Sequence, residues 1–245
     1  MGDRILEVGA AGIEGAEAKV KAMMNNMVNA ETPGYKKTDV VIKSFPTYLE
    51  EAKIRSSTQV PKVESVIYDQ SPGTMVRTGN KYDVAIGGNG YFVVQTPWGN
   101  GYTRDGRFTL DKEGNLVTVS GNYPVIGAGG PITVTAGESF DFLPDGGIKM
   151  NDGSLVNTIK IVTVDDTSKL RPMGASLYQI TGNAQVTDNS APRIMSGYVE
   201  ASNDNIIKDM ADLVYITHVY SNDAKIISNR EAMLSRALDI GRPAQ

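Results

Sequence analysis

The sequence predicts an α+β fold: a discontinuous two-helix coiled-coil layer built from the N- and C-termini, and a central antiparallel β-domain of barrel or sandwich type. Three observations carry this. Apolar residues recur seven positions apart near the N-terminus and again near the C-terminus, the spacing of a helical seam. Between these regions the pattern changes to short apolar or alternating runs broken by Gly, Asn, Asp and Pro, as in antiparallel sheets. Finally, 26 glycines in 245 residues require many turns.

The first helix is expected over about residues 3 to 30. Leu6, Ile13, Val20 and Met27 form one column, and Gly9, Ala16, Met23 and Ala30 follow three residues after each. Gly9, Gly12, Gly15, Ala16, Ala18 and Ala22 make the seam narrow, so a partner backbone can come close. Each interior glycine costs roughly 1 kcal/mol relative to alanine, so the isolated helix is marginal. Thr32-Pro33-Gly34 stops it, since proline disfavours helix before itself and glycine permits the turn.

A second helix is expected over about 203 to 240. Ile206, Leu213, Tyr220, Ile227 and Leu234 are again seven apart, with Met210, Thr217, Ala224, Glu231 and Leu238 as a companion column four residues on. Ser202, Asn203 and Asp204 offer capping side chains ahead of it, and Gly241 and Pro243 close it. At 1.5 Å per residue the two helices are roughly 40 and 55 Å long, well beyond the usual 11 to 12 residues.

The middle reads as strands. Tyr82, Val84 and Ile86 alternate, Gly87-Gly88-Asn89-Gly90 turns, and Tyr91 to Val94 is a buried strand. Pro97 to Asn100 turns again, and Phe108 to Leu110 and Leu116 to Val119 flank the Asp111 to Asn115 turn. Further strands are expected at 132–134, 148–150, 158–164 and 177–181, while Val40 to Phe45 and Val63 to Tyr68 flank a polar, poorly ordered 50–60. The division expected is a terminal helical assembly domain (1–35 and 200–245), an extended connecting segment (36–80) and a β-rich domain (81–199). Two helices cannot bury two apolar stripes on each other without exposing much of one. Packing against the same helices of neighbouring subunits is the economical solution, so the pattern itself points to a polymer.

Nothing in the sequence forms an active site, and the chain is expected not to be an enzyme. The net charge of −4 argues against a nucleic-acid partner, and Lys36, Lys37 and Lys43, diluted by Asp39, read as a solvated strand face. Cysteine is absent, which removes disulfides, thiolate metal sites and thiol nucleophiles. His218 is the sole histidine, so no metal site with ordinary ligand spacing can be written, and no cofactor or small-molecule substrate is expected. Asp165-Asp166 and Asp111/Glu113 are carboxylate pairs of the kind glycoside hydrolysis uses, but their Gly, Asn, Ser and Thr neighbours mark them as turn residues. Gly87 to Gly90 lacks the Lys-Ser/Thr of a phosphate loop. No apolar run reaches about 18 residues, so no membrane insertion is expected, and with Asp3, Glu7, Glu14 and Glu17 near the start no cleavable signal peptide is expected.

Three stretches resemble one family, the rod and hook proteins of the bacterial flagellum. Asn25-Asn26-Met27-Val28-Asn29-Ala30-Glu31-Thr32-Pro33-Gly34-Tyr35-Lys36 is similar to its N-N-L-A-N-x-x-T-x-G-[FY]-[KR] signature through Asn25, Asn26, Asn29, Thr32, Gly34, Tyr35 and Lys36. Asp83 to Phe92, Tyr102-Thr103-Arg104-Asp105-Gly106 and Leu116-Val117-Thr118 resemble its D-V-A-I-x-G-x-G-[FY]-F, Y-T-R-x-G and G-x-L-V-T core. Gly197 to Asn203 resembles its G-x-[LV]-E-x-S-N element. The family's Q-R-A-Y in the last helix is Thr217-His218-Val219-Tyr220 here, which carries over Tyr220 alone.

The resemblance implies a structural subunit of the basal-body rod, a helical tube with paired terminal helices inside and β-domains outside that carries torque toward the hook. It implies partners in copies of the chain, other rod subunits, and hook or ring proteins. It also implies a place in the periplasm-spanning rod, reached through the flagellar type III export apparatus without a cleaved signal. The length and the Asp3-Arg4 start favour the proximal-rod type over the distal. The alternative of another class is a carbohydrate- or wall-binding β-domain with coiled-coil oligomerisation, which leaves both heptad runs unexplained.

Overall fold

The computed structural model describes residues 2–49, 54–135, 139–189 and 191–240; the side chains of 2–7, 44–49, 54–61, 231, 234, 235 and 237–240 lie outside that description. The fold is α+β, with two long terminal helices and central antiparallel β-structure. The chain forms two compact units. One comprises residues 1–28, 38–67 and 205–245, the other 29–37 and 68–204.

The helical unit holds α1 (Gly2–Val28), α2 (Ile206–Ile240) and a ribbon of β1 (Thr38–Leu49) with β2 (Ile54–Tyr68). The helices run antiparallel, because Gly9 lies against Ile227, Gly12 against Asp223, and Ala16 and Met23 share one apolar cluster with Leu213 and Ile216. The glycines are what permits this approach. A Cβ on Gly9 would stand 3.2 Å from Ile227 Cδ1, one on Gly12 2.9 Å from Asp223 Oδ2, and one on Gly15 3.1 Å from Ile42 Cδ1 of β1. β2 begins at Ile54, so its strand takes in residues 54–60 of the stretch expected to be poorly ordered. Val63 favours extended backbone.

Three further expectations are corrected. α1 ends at Val28, leaving Ala30 in a turn in which Thr32 N donates to Asn29 O. The cap of α2 is Asn205, whose Oδ1 accepts from Lys208 N at 3.1 Å; Ser202 Oγ accepts from Asp204 N at 3.2 Å, and Asn203 and Asp204 do other work described below. The companion column of α2 also lies three residues on from the first, at Asp209, Ile216, Asp223 and Arg230, and Met210 and Thr217 are exposed. Apolarity favoured the wrong column, since the helix buries Asp209 and turns Asp223 towards α1, where Gly12 leaves room for it.

The β unit is built around β5 (Tyr91–Thr96) and β6 (Gly99–Thr103), at the middle of a six-stranded sheet. Its order is Leu170–Gly174, Leu177–Ile180, β6, β5, Ile161–Val164, Val186–Asp188, with antiparallel ladders throughout. β5 reads as a continuous apolar run because both its faces are covered. Phe92 and Val94 enter the main core with Phe108, Leu116, Ile132, Phe140, Ile148 and Ile159, while Tyr91 and Val93 enter a second core with Val162, Leu170 and Tyr178. Smaller sheets close the unit, among them β3 (Met75–Arg77) paired with Tyr198–Glu200 and β4 (Val84–Ile86) paired with Ile194–Ser196.

Candidate functional site

The second face of the six-stranded sheet carries the densest polar structure of the β unit, and all three motif stretches meet there. Glu200 ends the strand Tyr198–Glu200 and is 1 % exposed. Its Oε1 accepts from Lys36 Nζ at 2.5 Å and from Gly73 N at 3.0 Å, and its Oε2 accepts from Arg104 Nη1 at 3.1 Å. Lys36, also 1 % exposed, gives a second hydrogen bond to Ser71 O at 2.8 Å. The Arg104 guanidinium lies 5.2 Å from the centroid of the Tyr91 ring, within cation–π range. Tyr91 in turn donates its hydroxyl to Gln70 Oε1 at 2.7 Å.

Burial is the dominant influence on the titrating groups. It pulls the Lys36 ammonium below its ordinary range, against the hydrogen bond and charge of Glu200. It pushes the Tyr91 phenol up to about 12 and the Tyr178 phenol well above its ordinary range. One carboxylate therefore holds two buried cations, and charge-assisted bonds of this kind are roughly twice as strong as neutral ones.

The neighbouring backbone is tied in as tightly. Gly34 N donates to Glu200 O at 2.8 Å, and Ser176 Oγ donates to Pro33 O at 3.1 Å. A Cβ at Gly34, whose φ is +69°, would stand 2.3 Å from Asp105 N, and one at Gly73 would stand 1.9 Å from Ala201 O. Both glycines thus allow strands of backbone to touch. Asn203 is a connector: its Oδ1 accepts from Lys37 N at 2.7 Å, and its Nδ2 donates to Asp69 O and Ser71 O. Lys37 Nζ pairs with Asp204 at 2.8 Å, and Asp69 N donates to Lys37 O at 2.8 Å.

The residues named from sequence divide accordingly. Asn29, Thr32, Gly34 and Tyr35 belong to this knot or to the turn that enters it, with Tyr35 N donating to Thr32 O. Asn25 and Asn26 lie in the helical unit, where Asn26 Nδ2 donates to Thr38 O and Thr38 N donates back to Asn26 Oδ1, each at 2.8 Å. Of the heptad residues, Val20 and Leu213 pack on Ala16, Met23 and Ile216, and Ile227 covers Gly9. Ile13, Met27 and Ile206 are half-buried, and Tyr220 lines an apolar groove with Val20, Met24 and Thr217. The side chains of Leu6 and Leu234 lie outside the described residues.

Lys36 overturns the reading of a solvated basic face; only Lys37 and Lys43 of that trio keep solvent exposure. Sequence reasoning also passed over Ser176, held at φ +55°, whose Oγ donates to Pro33 O and whose carbonyl accepts from Thr103 Oγ1. No motif covers Ser176. The turn aspartates act as turn residues: Asp111 Oδ1 accepts from Glu113 N and Asn115 N, and Asp166 Oδ1 from Ser168 N. Among the described residues no group of three or more His, Asp or Glu could hold a metal ion, and no helix is long and apolar enough to cross a membrane.

Residues 85–190 match the family described as the flagellar hook protein FlgE/F/G D1 domain. The chain is 33% identical over 241 residues to the flagellar basal-body rod protein FlgF of Caulobacter vibrioides, covering 96% of each chain. It is 31% identical to the FlgF of Rhizobium meliloti over 91% of each. To the flagellar basal-body rod protein FlgG of Bacillus subtilis it is 27% identical, over 98% of this chain and 99% of the other.

Proposed function

Since the chain belongs to the flagellar basal-body rod protein family, we propose that it polymerises through its two terminal helices into a helical tube that carries torque from the motor toward the hook. Membership makes it a structural subunit of the flagellar rod. The observation that carries the mode of assembly is the apolar surface left on the helical unit. Against a small cluster of Ala16, Val20, Met23, Leu213 and Ile216, α2 leaves Ile207 81 % and Val214 60 % exposed, together with Met210, Tyr215, Ile226 and Met233. Burying one such side chain is worth roughly 1.5–3 kcal/mol, and neighbouring copies or related rod and hook subunits are the surfaces that can do so.

Within the rod we favour the proximal position over the distal. The rod crosses the periplasm, so its subunits pass the inner membrane through the flagellum's own export apparatus; a marginal, glycine-rich α1 suits a chain that travels unfolded and orders on assembly. Cryo-electron microscopy of isolated basal bodies tests the reading. The expected result is density for this chain in the rod with its helices lining the tube. A chain absent from the rod, or attached through its β unit alone, overturns it.

A further inference from the structure

The chain passes between its two units four times, after residues 28, 37, 67 and 204. On the β-unit side those crossings are tied to one another. Lys37 is bonded through its backbone and its ammonium to Asn203, Asp204 and Asp69, and Asn203 bonds Asp69 and Ser71. The turn that follows α1 is held by Glu200 O and Ser176 Oγ. Beneath them lies the charge cluster, in which Glu200 alone reaches Lys36 of the first connection, Gly73 of the third and Arg104 of the sheet.

We infer that Lys36, Glu200 and Arg104 form an ionic clamp that fixes the connecting segments 29–37, 69–73 and 200–204 of the β unit in one register. The rod reading supplies the clamp's use, but its existence is a property of the single chain.

Ionic chemistry suits this task better than apolar packing. Apolar side chains repack in several arrangements at similar energy. A carboxylate that must satisfy two buried cations and a backbone N–H has one arrangement, and any slip strands a buried charge. Lys36 and Glu200 are 164 residues apart, so the clamp closes only when the β unit between them has folded. A connecting segment is then immobilised only on a completed subunit.

Amide hydrogen exchange on the dilute, full-length chain tests this without reference to assembly. In Glu200→Gln, which keeps the shape and removes the charge, the amides of Gly34, Lys37, Asp69 and Gly73 should exchange about a hundredfold faster or more. Those of Leu116, Val125 and Ile132, hydrogen-bonded within the main core, should accelerate only as far as the lost stability of the β unit dictates. In the triple variant Lys36→Met, Arg104→Met, Glu200→Met, which strands no charge, the core amides should keep the parent rates while the clamp amides stay fast. Unchanged clamp amides in Glu200→Gln, or full clamp protection in the triple variant, would overturn the inference. Absence of the chain from basal bodies would remove the rod reading and leave these rates as they are.

Discussion

The Lys36 ammonium lies 2.5 Å from the Glu200 carboxylate across 164 residues of chain, with both side chains out of solvent. Lys43 and Glu64 make a pair of similar length, 2.7 Å, on the ribbon, but there the lysine is 59 % exposed. The two differ in energy because solvent screens one and not the other. Removing one partner of a buried pair strands the remaining charge and costs about 3–5 kcal/mol, whereas an exposed pair is worth about 0–1 kcal/mol. Glu200→Ala is therefore expected to lower the stability of the β unit by about 3–5 kcal/mol and Lys43→Ala to change the chain by less than about 1 kcal/mol. Urea unfolding followed by circular dichroism measures both, and equal effects would contradict the burial argument.

Gly34 and Gly79 share almost one backbone conformation, φ +69° and +74°, but not one environment. A Cβ at Gly34 meets Asp105 N at 2.3 Å, and one at Gly79 meets nothing within 4 Å. Left-handed backbone alone costs roughly 1–2 kcal/mol for a residue with a Cβ. Gly79→Ala should lose about that much, and Gly34→Ala clearly more, since Asp105 N belongs to buried backbone that must move. The difference in urea midpoints at constant slope is the readout.

The knot also makes the fold sensitive to strong base. The Tyr91 phenol, ordinarily near 10.0, is raised by burial to about 12. Between those values the unfolded chain releases the proton and the folded chain keeps it, so stability is full below pH 10 and falls as pH rises towards 12. Tyr178 acts in the same direction. Lys36 acts oppositely, because its lowered value makes the unfolded chain the better proton binder up to about 10.5. The clean window is therefore about pH 10.5 to 12, where Tyr91→Phe should flatten the fall by up to one proton, roughly 1.4 kcal/mol per pH unit. The variant should start lower at neutral pH by about 1 kcal/mol for the lost bond to Gln70. An unchanged alkaline slope would place the titration elsewhere.

Local pattern made the helices and turns legible, because their causes lie within a few residues. The seven-residue spacing marks both helices, and Thr32-Pro33-Gly34 marks where the first one stops. Asp111 and Asp166 sit where turn chemistry puts them. The register of α2 was not legible: Met210 looks like the better inward residue than Asp209 yet is exposed while Asp209 is buried, and Asp223 is turned inward only because α1 offers Gly12 opposite. Lys36 was legible as a motif position and illegible as a buried charge, since nothing near it in sequence announces Glu200, Arg104 or Ser71. Ser176 gave no signal at all; its role is set by a strained turn of the fold and by the carbonyl of Pro33.

Leu213 and Val214 are neighbours in sequence and opposites in environment, which separates the two duties of α2. Leu213 packs on Ala16 and Met23 of the same chain, while Val214 is 60 % exposed beside Ile207 and Met210. Aspartate at 213 places a charge in the intrachain seam and should loosen the α1–α2 pair already in the monomer, as should Val20→Asp, visible as lost helical circular dichroism. Aspartate at 214 touches nothing buried, so the monomer's spectrum and unfolding midpoint should match the parent. Under the proposed mode of assembly another subunit covers that same surface in the rod, where an unpaired carboxylate costs several kcal/mol per contact and repeats at every subunit. Val20→Asp, Leu213→Asp and Val214→Asp should therefore all abolish swimming in soft agar with the β unit still folded, and only Val214→Asp should do so with an unperturbed monomer. Normal motility of Val20→Asp and Leu213→Asp would sink the seam assignment, and normal motility of Val214→Asp would move the assembly face elsewhere on the helix.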